Sequence, residues 1–286
     1  VSTTESGAEL KLRLDGKNVL VIGAGGGGIG TATAEVLASV GATVIAVDFE
    51  QARLDDTEAR LAAQGSPCIT ILANVRDVGA VESAVATAIE SAGRVDHLVN
   101  VAGGNQNGEW SPLEKYPDRL WEDVMGLNLR YVVVSGREVA AHLIERGAPG
   151  SIVNFSSISA LGAAPFHALY GVAKAGILAL TKTMAVEWGR YGIRANAIVP
   201  GSVATPRADR PGSDDLAAAW NPIPRRCRPD ELAGAVLFLL SDLSSAITGQ
   251  EIVVDNGVSA RHPNGGIERF AGMLEGPRAA HPPAGT

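Results

Sequence analysis

The stretch Asn18-Val19-Leu20-Val21-Ile22-Gly23-Ala24-Gly25-Gly26-Gly27-Gly28-Ile29-Gly30 decides the fold. Its first part stays apolar at successive positions, the pattern of a strand covered on both faces. Six of the next eight residues are glycine, which lets the chain turn sharply. Ile29–Ser39 then has the pattern of a helix. Outward from this unit the same alternation repeats. Further strands are expected at Thr43–Val47, Ile69–Ala73, His97–Val101, Ser151–Phe155, Arg194–Val199 and Glu251–Val254, with helices at Gln51–Gln64 and Val78–Ser91. Connections of that length are crossovers, so the expectation is an α/β fold built as one doubly wound parallel sheet. Its body is expected over residues 12–260, after a tail at 1–11 and before a Gly/Pro-rich C-terminal extension at 261–286.

The 286 residues carry 24 Lys and Arg against 31 Asp and Glu, a formal net charge of −7. That balance argues against nucleic acid or an anionic membrane as a partner. Apolar residues make up 46% and charged residues 19%, enough apolar surface for a core, so a disordered chain is excluded. The two cysteines, Cys68 and Cys227, are far apart and the five histidines are scattered, so neither a disulfide framework nor a metal site is expected. No uninterrupted apolar run approaches the ~18 residues of a membrane span. Val1–Leu10 has no secretory pattern. The expected location is the cytoplasm.

Glycines between a strand and a helix allow the backbone to approach a pyrophosphate, and the helix start offers unpaired N–H groups and a positive dipole end. Asp48 ends the second strand 18 residues beyond Gly30, where a carboxylate can accept hydrogen bonds from an adenosine ribose. Its charge repels a 2′-phosphate, with Glu50 adding to the effect and Arg53 opposing it. Alone, these features also fit an empty flexible loop and a capping carboxylate.

Tyr170-Gly171-Val172-Ala173-Lys174 opens a helical segment running toward Trp188, and four-residue spacing puts Tyr170 and Lys174 on one face. A phenol near its ordinary pKa of ~10 is a poor proton carrier at neutral pH, and a nearby ammonium lowers that pKa. Ser157 lies 13 residues before Tyr170 at the end of a strand, where its hydroxyl can polarise a carbonyl or simply close a turn.

These residues carry a resemblance. The Gly-rich turn, Asn100-Val101-Ala102-Gly103, Asn128, Ser157, Tyr170-x-x-x-Lys174, Pro200-Gly201-x-x-x-Thr205 and Val254-Asp255-Asn256-Gly257 occur in an order and spacing that resembles the classical short-chain dehydrogenase/reductase family. The resemblance covers approximately residues 12–260. It implies a Rossmann-type domain and hydride transfer between a nicotinamide cofactor and a secondary alcohol or ketone, commonly in a homotetramer. By it, Tyr170 passes a proton to or from the substrate oxygen, Lys174 lowers the Tyr170 pKa and binds the nicotinamide ribose, and Ser157 holds the substrate oxygen. Asn128 supports a water linked to Lys174. Cofactor contacts are implied at Gly23, Gly28, Ile29, Gly30, Asp48, Asn74, Val75, Asn100, Ala102, Gly103, Tyr170, Lys174, Pro200, Gly201, Val203 and Thr205. NAD(H) is the expected cofactor and NADP(H) is disfavoured. Family members that reduce C=C bonds have a wider Tyr-to-Lys gap, so the spacing here points to C=O/CH–OH chemistry.

The chain departs from the family pattern in places. Four residues, not three, separate Gly23 from Gly28, and Ile22 stands where the family has Thr. Asn74 replaces a frequent Asp after the third strand, with its side-chain oxygen available to the adenine amino group, and Val101 replaces an Asn. The segment Pro206–Pro224 is the expected substrate lid, with Arg207 as a possible carboxylate contact or a solvated arginine. Leu161, Phe166, His167, Gly104, Asn105 and Gln106 are pocket candidates by position. Two other readings stay open, a 3-oxoacyl-type or secondary-metabolite ketoreductase and a dinucleotide-binding sensor or scaffold without turnover. An NAD preference favours alcohol oxidation as the direction.

Overall fold

The computed structural model describes residues 12–105 and 110–261. The expected tail at 1–11, Gln106 and the extension beyond Arg261 lie outside these. Seven parallel strands form one sheet in the order β3-β2-β1-β4-β5-β6-β7: β1 Asn18–Ile22, β2 Thr43–Asp48, β3 Cys68–Leu72, β4 His97–Asn100, β5 Gly150–Phe155, β6 Ile193–Pro200 and β7 Glu251–Val254. The chain runs from β1 outward to β3, then returns to place β4 on the other side of β1. That reversal opens a crevice at the carboxyl ends of β1 and β4.

Side-chain alternation along the strands splits the core in two. Val19 and Val21 of β1, with Val44 and Ala46 of β2, face the layer formed by α1 (Ile29–Ser39), α2 (Gln51–Ala63) and α8 (Pro229–Leu240), whose Leu37, Leu54, Leu61, Leu232 and Val236 pack there. Leu20, Ile22, Ile45 and Val47 face the opposite layer. That layer comprises α3 (Val78–Ala92), α5 (Tyr131–Glu145) and α6 (Ala168–Trp188), which contribute Val81, Val85, Tyr131, Leu143, Ile177 and Met184. Both faces of the strands are therefore apolar, as their continuous patterning requires.

Strand ends differ from the sequence expectation by a residue at several points. The expected ends of β3 and β4 fall at Ala73 and Val101, whose amides still donate to Asp48 O and Ile22 O at 2.9 Å, but there the chain is already turning off the sheet. Over 168–191, α6 and the turn after it reach the length and mean hydropathy of a membrane span, which counting uninterrupted apolar residues misses. Here α6 packs along β6, with Lys174 buried.

At the amino end of the sheet, two histidines accept backbone hydrogen bonds. The Ser151 amide donates to His97 Nδ1 at 3.1 Å, and the Val95 amide to His142 Nε2 at 3.3 Å. Burial pushes the His97 imidazole down from 6.5 to about 4, with Lys17 adding to this and Asp96 opposing it. The folded pKa lies below the unfolded one, so the unfolded chain takes up the proton first. The stability tied to a neutral His97 is complete above about pH 6.5 and is lost as pH falls toward 4, on the order of 3 kcal/mol at most. Denaturant unfolding should therefore show a midpoint that drops across pH 6.5 to 4, with the drop flattened in His97→Gln. An unchanged pH dependence in that variant would remove His97 as the cause.

Candidate functional site

The glycine loop joins β1 to α1 at the crevice. A β-carbon at Gly23 would stand 2.6 Å from the Ala102 amide nitrogen, and one at Gly30 would stand 1.8 Å from the Gly23 carbonyl oxygen. Only glycine permits either approach. The additional residue of the loop is absorbed by Gly26 and Gly27, both left-handed, with φ of 83° and 67°. Two loop amides are occupied within the chain: Gly25 N–H donates to Asp48 Oδ2 at 3.0 Å and Gly27 N–H to Thr31 Oγ1 at 3.0 Å. No side chain caps α1, and the Ile29 and Gly30 amides find no acceptor among the described residues. These two, at the positive end of α1, suit a phosphate.

Asp48 is buried, its Oδ1 accepting from the Phe49 amide at 2.9 Å. Arg53 ion-pairs with Glu50 at 2.6 Å, lies over the Phe49 ring at 4.8 Å and flanks Gly26. Arg53, the cation beside the glycine loop, is thus already paired. Three expected cofactor contacts are used elsewhere. Asn100 is fully buried, donating to Asn154 Oδ1 and accepting from Ser135 Oγ, both at 2.9 Å, so it ties β4 to β5 and α5 instead of facing the crevice. The Asn74 side-chain oxygen accepts from the Arg76 amide at 3.1 Å, closing its own turn. The Val203 side chain is in the core. Val75 packs beside the α3 layer, and Gly201 lies against Asp255, where a β-carbon would meet the backbone at 2.8 Å. The Pro200 residue closes β6.

The crevice brings together the four expected catalytic side chains. Ser157 follows β5; its hydroxyl accepts from the Ser159 amide and is near enough to the Tyr170 phenol to favour its ionisation. Lys174, one turn along α6 from Tyr170, donates Nζ to Phe155 O at 2.9 Å and lies 5.7 Å from the Tyr170 ring centre. Asn128 sits on a π-turn at Gly126–Arg130, between α4 (Leu120–Met125) and α5. Its Nδ2 donates to Val124 O at 3.0 Å and Gly104 O at 3.2 Å, while its Oδ1 accepts from the Gly104 amide at 2.7 Å. A β-carbon on Gly103 would stand 2.8 Å from Asn128 Oδ1 and 3.0 Å from Lys174 Nζ. The glycine therefore keeps these groups facing an open space.

Burial pushes the Tyr170 phenol up, opposed by the neighbouring Ser157 hydroxyl and by the charge of Arg207. Burial takes the Lys174 ammonium down to about 7, and its nearest partner is a main-chain oxygen.

The mouth of the site is built by segments the sequence marked only by position. Thr205 accepts from the Ala208 amide at 3.2 Å, and its methyl group faces Gly28. Arg207 reaches across to Gly103 O at 2.9 Å and Asn105 O at 2.7 Å. His167 donates through Nδ1 to Pro165 O at 2.8 Å and pairs with Ser159 Oγ at 3.3 Å. Its ring lies between Trp110 and Tyr170, with centroids 4.4 Å and 5.9 Å away. Phe166 adopts a left-handed φ of 65°, and its carbonyl accepts from the Ser111 amide at 2.7 Å. Trp110 carried no sequence signal, being isolated from any motif. The arch after Thr205 leads into α7 (Ser213–Trp220) and is held by buried Arg226, which donates to Asp214 Oδ1 at 2.7 Å, Asp209 Oδ1 at 3.0 Å and Ala208 O at 3.3 Å.

Residues 23–259 match the family model described as enoyl-(acyl carrier protein) reductase. The short chain dehydrogenase/reductase astE of Aspergillus oryzae is 37% identical over 261 residues, covering 89% of this chain and 99% of its relative. Among solved structures, carveol dehydrogenase from Mycobacterium avium in complex with NAD superposes with a TM-score of 0.81 and 31% identity, over 87% of this chain and 99% of that one. A gluconate 5-dehydrogenase from Burkholderia cenocepacia in complex with NADP and tartrate gives a TM-score of 0.80 and 33% identity, over 88% and 98%. With the seven-stranded sheet, the glycine turn and the Ser157, Tyr170 and Lys174 cluster in place, the chain belongs to the classical short-chain dehydrogenase/reductase family of oxidoreductases.

Proposed function

We propose that this protein interconverts a secondary alcohol and a ketone, with NAD(H) as its cofactor. The observation that carries the reading is the Tyr170 phenol set one helix turn from Lys174 and close enough to the Ser157 hydroxyl to be eased by it, in a crevice whose other wall is the glycine loop. When bound, the dinucleotide supplies the hydride acceptor or donor. The Ile29 and Gly30 amides would hold its phosphates, Asp48 its adenosine ribose, and Lys174 its nicotinamide ribose.

The chain's own residues manage the proton. The Ser157 hydroxyl orients the substrate oxygen beside Tyr170, and the Tyr170 hydroxyl gives a proton to that oxygen in reduction or takes one in oxidation. A phenol raised by burial resists ionisation, so Ser157 and Arg207 act in the direction that eases it. Asn128 is a positioning residue, clamping both polar groups of Gly104 and so fixing the loop after β4 against Lys174. His167 is already engaged at both ring nitrogens, so the proton role is assigned to Tyr170.

Similar proteins bind either nicotinamide cofactor. What favours NAD here is Asp48, a carboxylate at the ribose end of the crevice, with Arg53 held by Glu50. A 2′-phosphate would face a negative group and a cation already paired. We also propose a cytoplasmic homotetramer. Exposed Val133 on α5 and Val172 and Val186 on α6 give those helices apolar surface to bury against another copy.

Tyr170→Phe should lower turnover by about 10²-fold or more while NAD still binds, checked by NADH absorbance and by cofactor titration. Near-normal turnover would overturn the proton assignment. The unmodified protein should bind NAD more tightly than NADP, and Asp48→Ala should narrow that ratio by roughly tenfold, the worth of charged hydrogen bonds to a ribose. Equal affinities before substitution would remove Asp48 as the discriminator.

A further inference from the structure

We infer that the substrate of this site is a hydroxy acid or its keto counterpart, with its carboxylate bound by Arg207. The inference rests on the alcohol/ketone reading and specifies its substrate class. Arg207 stands at the mouth of the catalytic cluster, its guanidinium nitrogens 2.9 Å from Gly103 O and 2.7 Å from Asn105 O. The absence of side chains at Gly103 and Gly104 makes room there. A β-carbon on Gly104 would stand 3.1 Å from both terminal nitrogens of Arg207, and one on Gly103 would touch Asn128 and Lys174. Arg207 is therefore adjacent to the groups around the reacting centre.

Its charge has no counter-charge among the described residues. The other arginines around the lid do: Arg225 pairs with Glu231, Arg226 with Asp209 and Asp214, and Arg228 with Asp230 and Glu231. The two carbonyl oxygens fix the plane of the Arg207 guanidinium and leave further N–H donors for a carboxylate, a geometry suited to bidentate binding. A cation without a counter-charge, beside the reacting groups, describes a ligand that carries a carboxylate as well as the alcohol or ketone that reacts.

The test uses four- to six-carbon aldonates, each matched with the alditol of the same configuration, which replaces the carboxylate by CH₂OH. Dissociation constants for the NAD-saturated protein at low salt are measured by calorimetry, with turnover in parallel, for the unmodified chain, Arg207→Met, Arg207→Lys and Tyr170→Phe. At least one aldonate should bind about tenfold or more tighter than its alditol. Arg207→Met should abolish that ratio, and Arg207→Lys should restore part of it. Tyr170→Phe should keep the ratio while turnover falls. Equal binding of acid and alditol, a ratio that survives in Arg207→Met, or no binding of any aldonate would each overturn the inference. None of these touches the alcohol/ketone reading, which fails separately if Tyr170→Phe keeps its turnover.

Discussion

The architecture of the site depends on main chain meeting main chain where β1 and β4 end. Gly23 lies against the Ala102 amide and Gly30 against the Gly23 carbonyl, distances at which a single methyl group would force the two strand ends and the start of α1 apart. Everything in the crevice follows from that closeness. It leaves the Ile29 and Gly30 amides open and puts the loop after β4 within reach of Asn128 and Lys174. A family match without this contact would describe a fold. With it, the fold acquires a phosphate site and a reaction site a fixed distance apart.

Around that contact the protein buries polar groups in two distinct ways. Asn100, Asn154, Ser135 and Thr181 form a closed set of hydrogen bonds within the core, each donor meeting an acceptor. Such a network fixes the register of β4 against β5 and the seats of α5 and α6. The second kind remains unfinished. Lys174 has one main-chain acceptor and a depressed pKa, the Tyr170 phenol is raised, and the Asn105 oxygen has nothing. Thr33 Oγ1 on α1 aside, the unfinished polar groups gather at one end of the sheet and mark the reacting part of the molecule off from the supporting part.

The sheet was legible in the sequence because a strand covered on both faces admits little except apolar residues, and glycine at Gly23 and Gly30 answers a steric demand. Tyr170, Lys174, Ser157 and Asn128 were legible because their spacing is tied to strand ends and helix turns. What could not be seen depends on three-dimensional direction. Asn100 sits beside a crevice residue in sequence but points into the core, since consecutive strand residues face opposite ways. The electrostatics of Tyr170 were only partly visible for a related reason: sequence gives the neighbour on the same helix, whereas Arg207, whose charge also eases the phenol, arrives from a segment 37 residues away. Trp110 and His167 meet only because the chain folds back over the Ser157 loop.

The attachment of the arch after β6 is carried by Arg226, whose guanidinium is buried and shared among Asp209, Asp214 and the carbonyl of Ala208. The side chains on its outer side, Leu216 and Trp220, are exposed and take no part in that grip. The residues that fasten the arch are thus distinct from those it exposes. A gatepost bolted from behind can be re-faced without working loose, and one backbone can in this way be fitted to ligands of quite different outline.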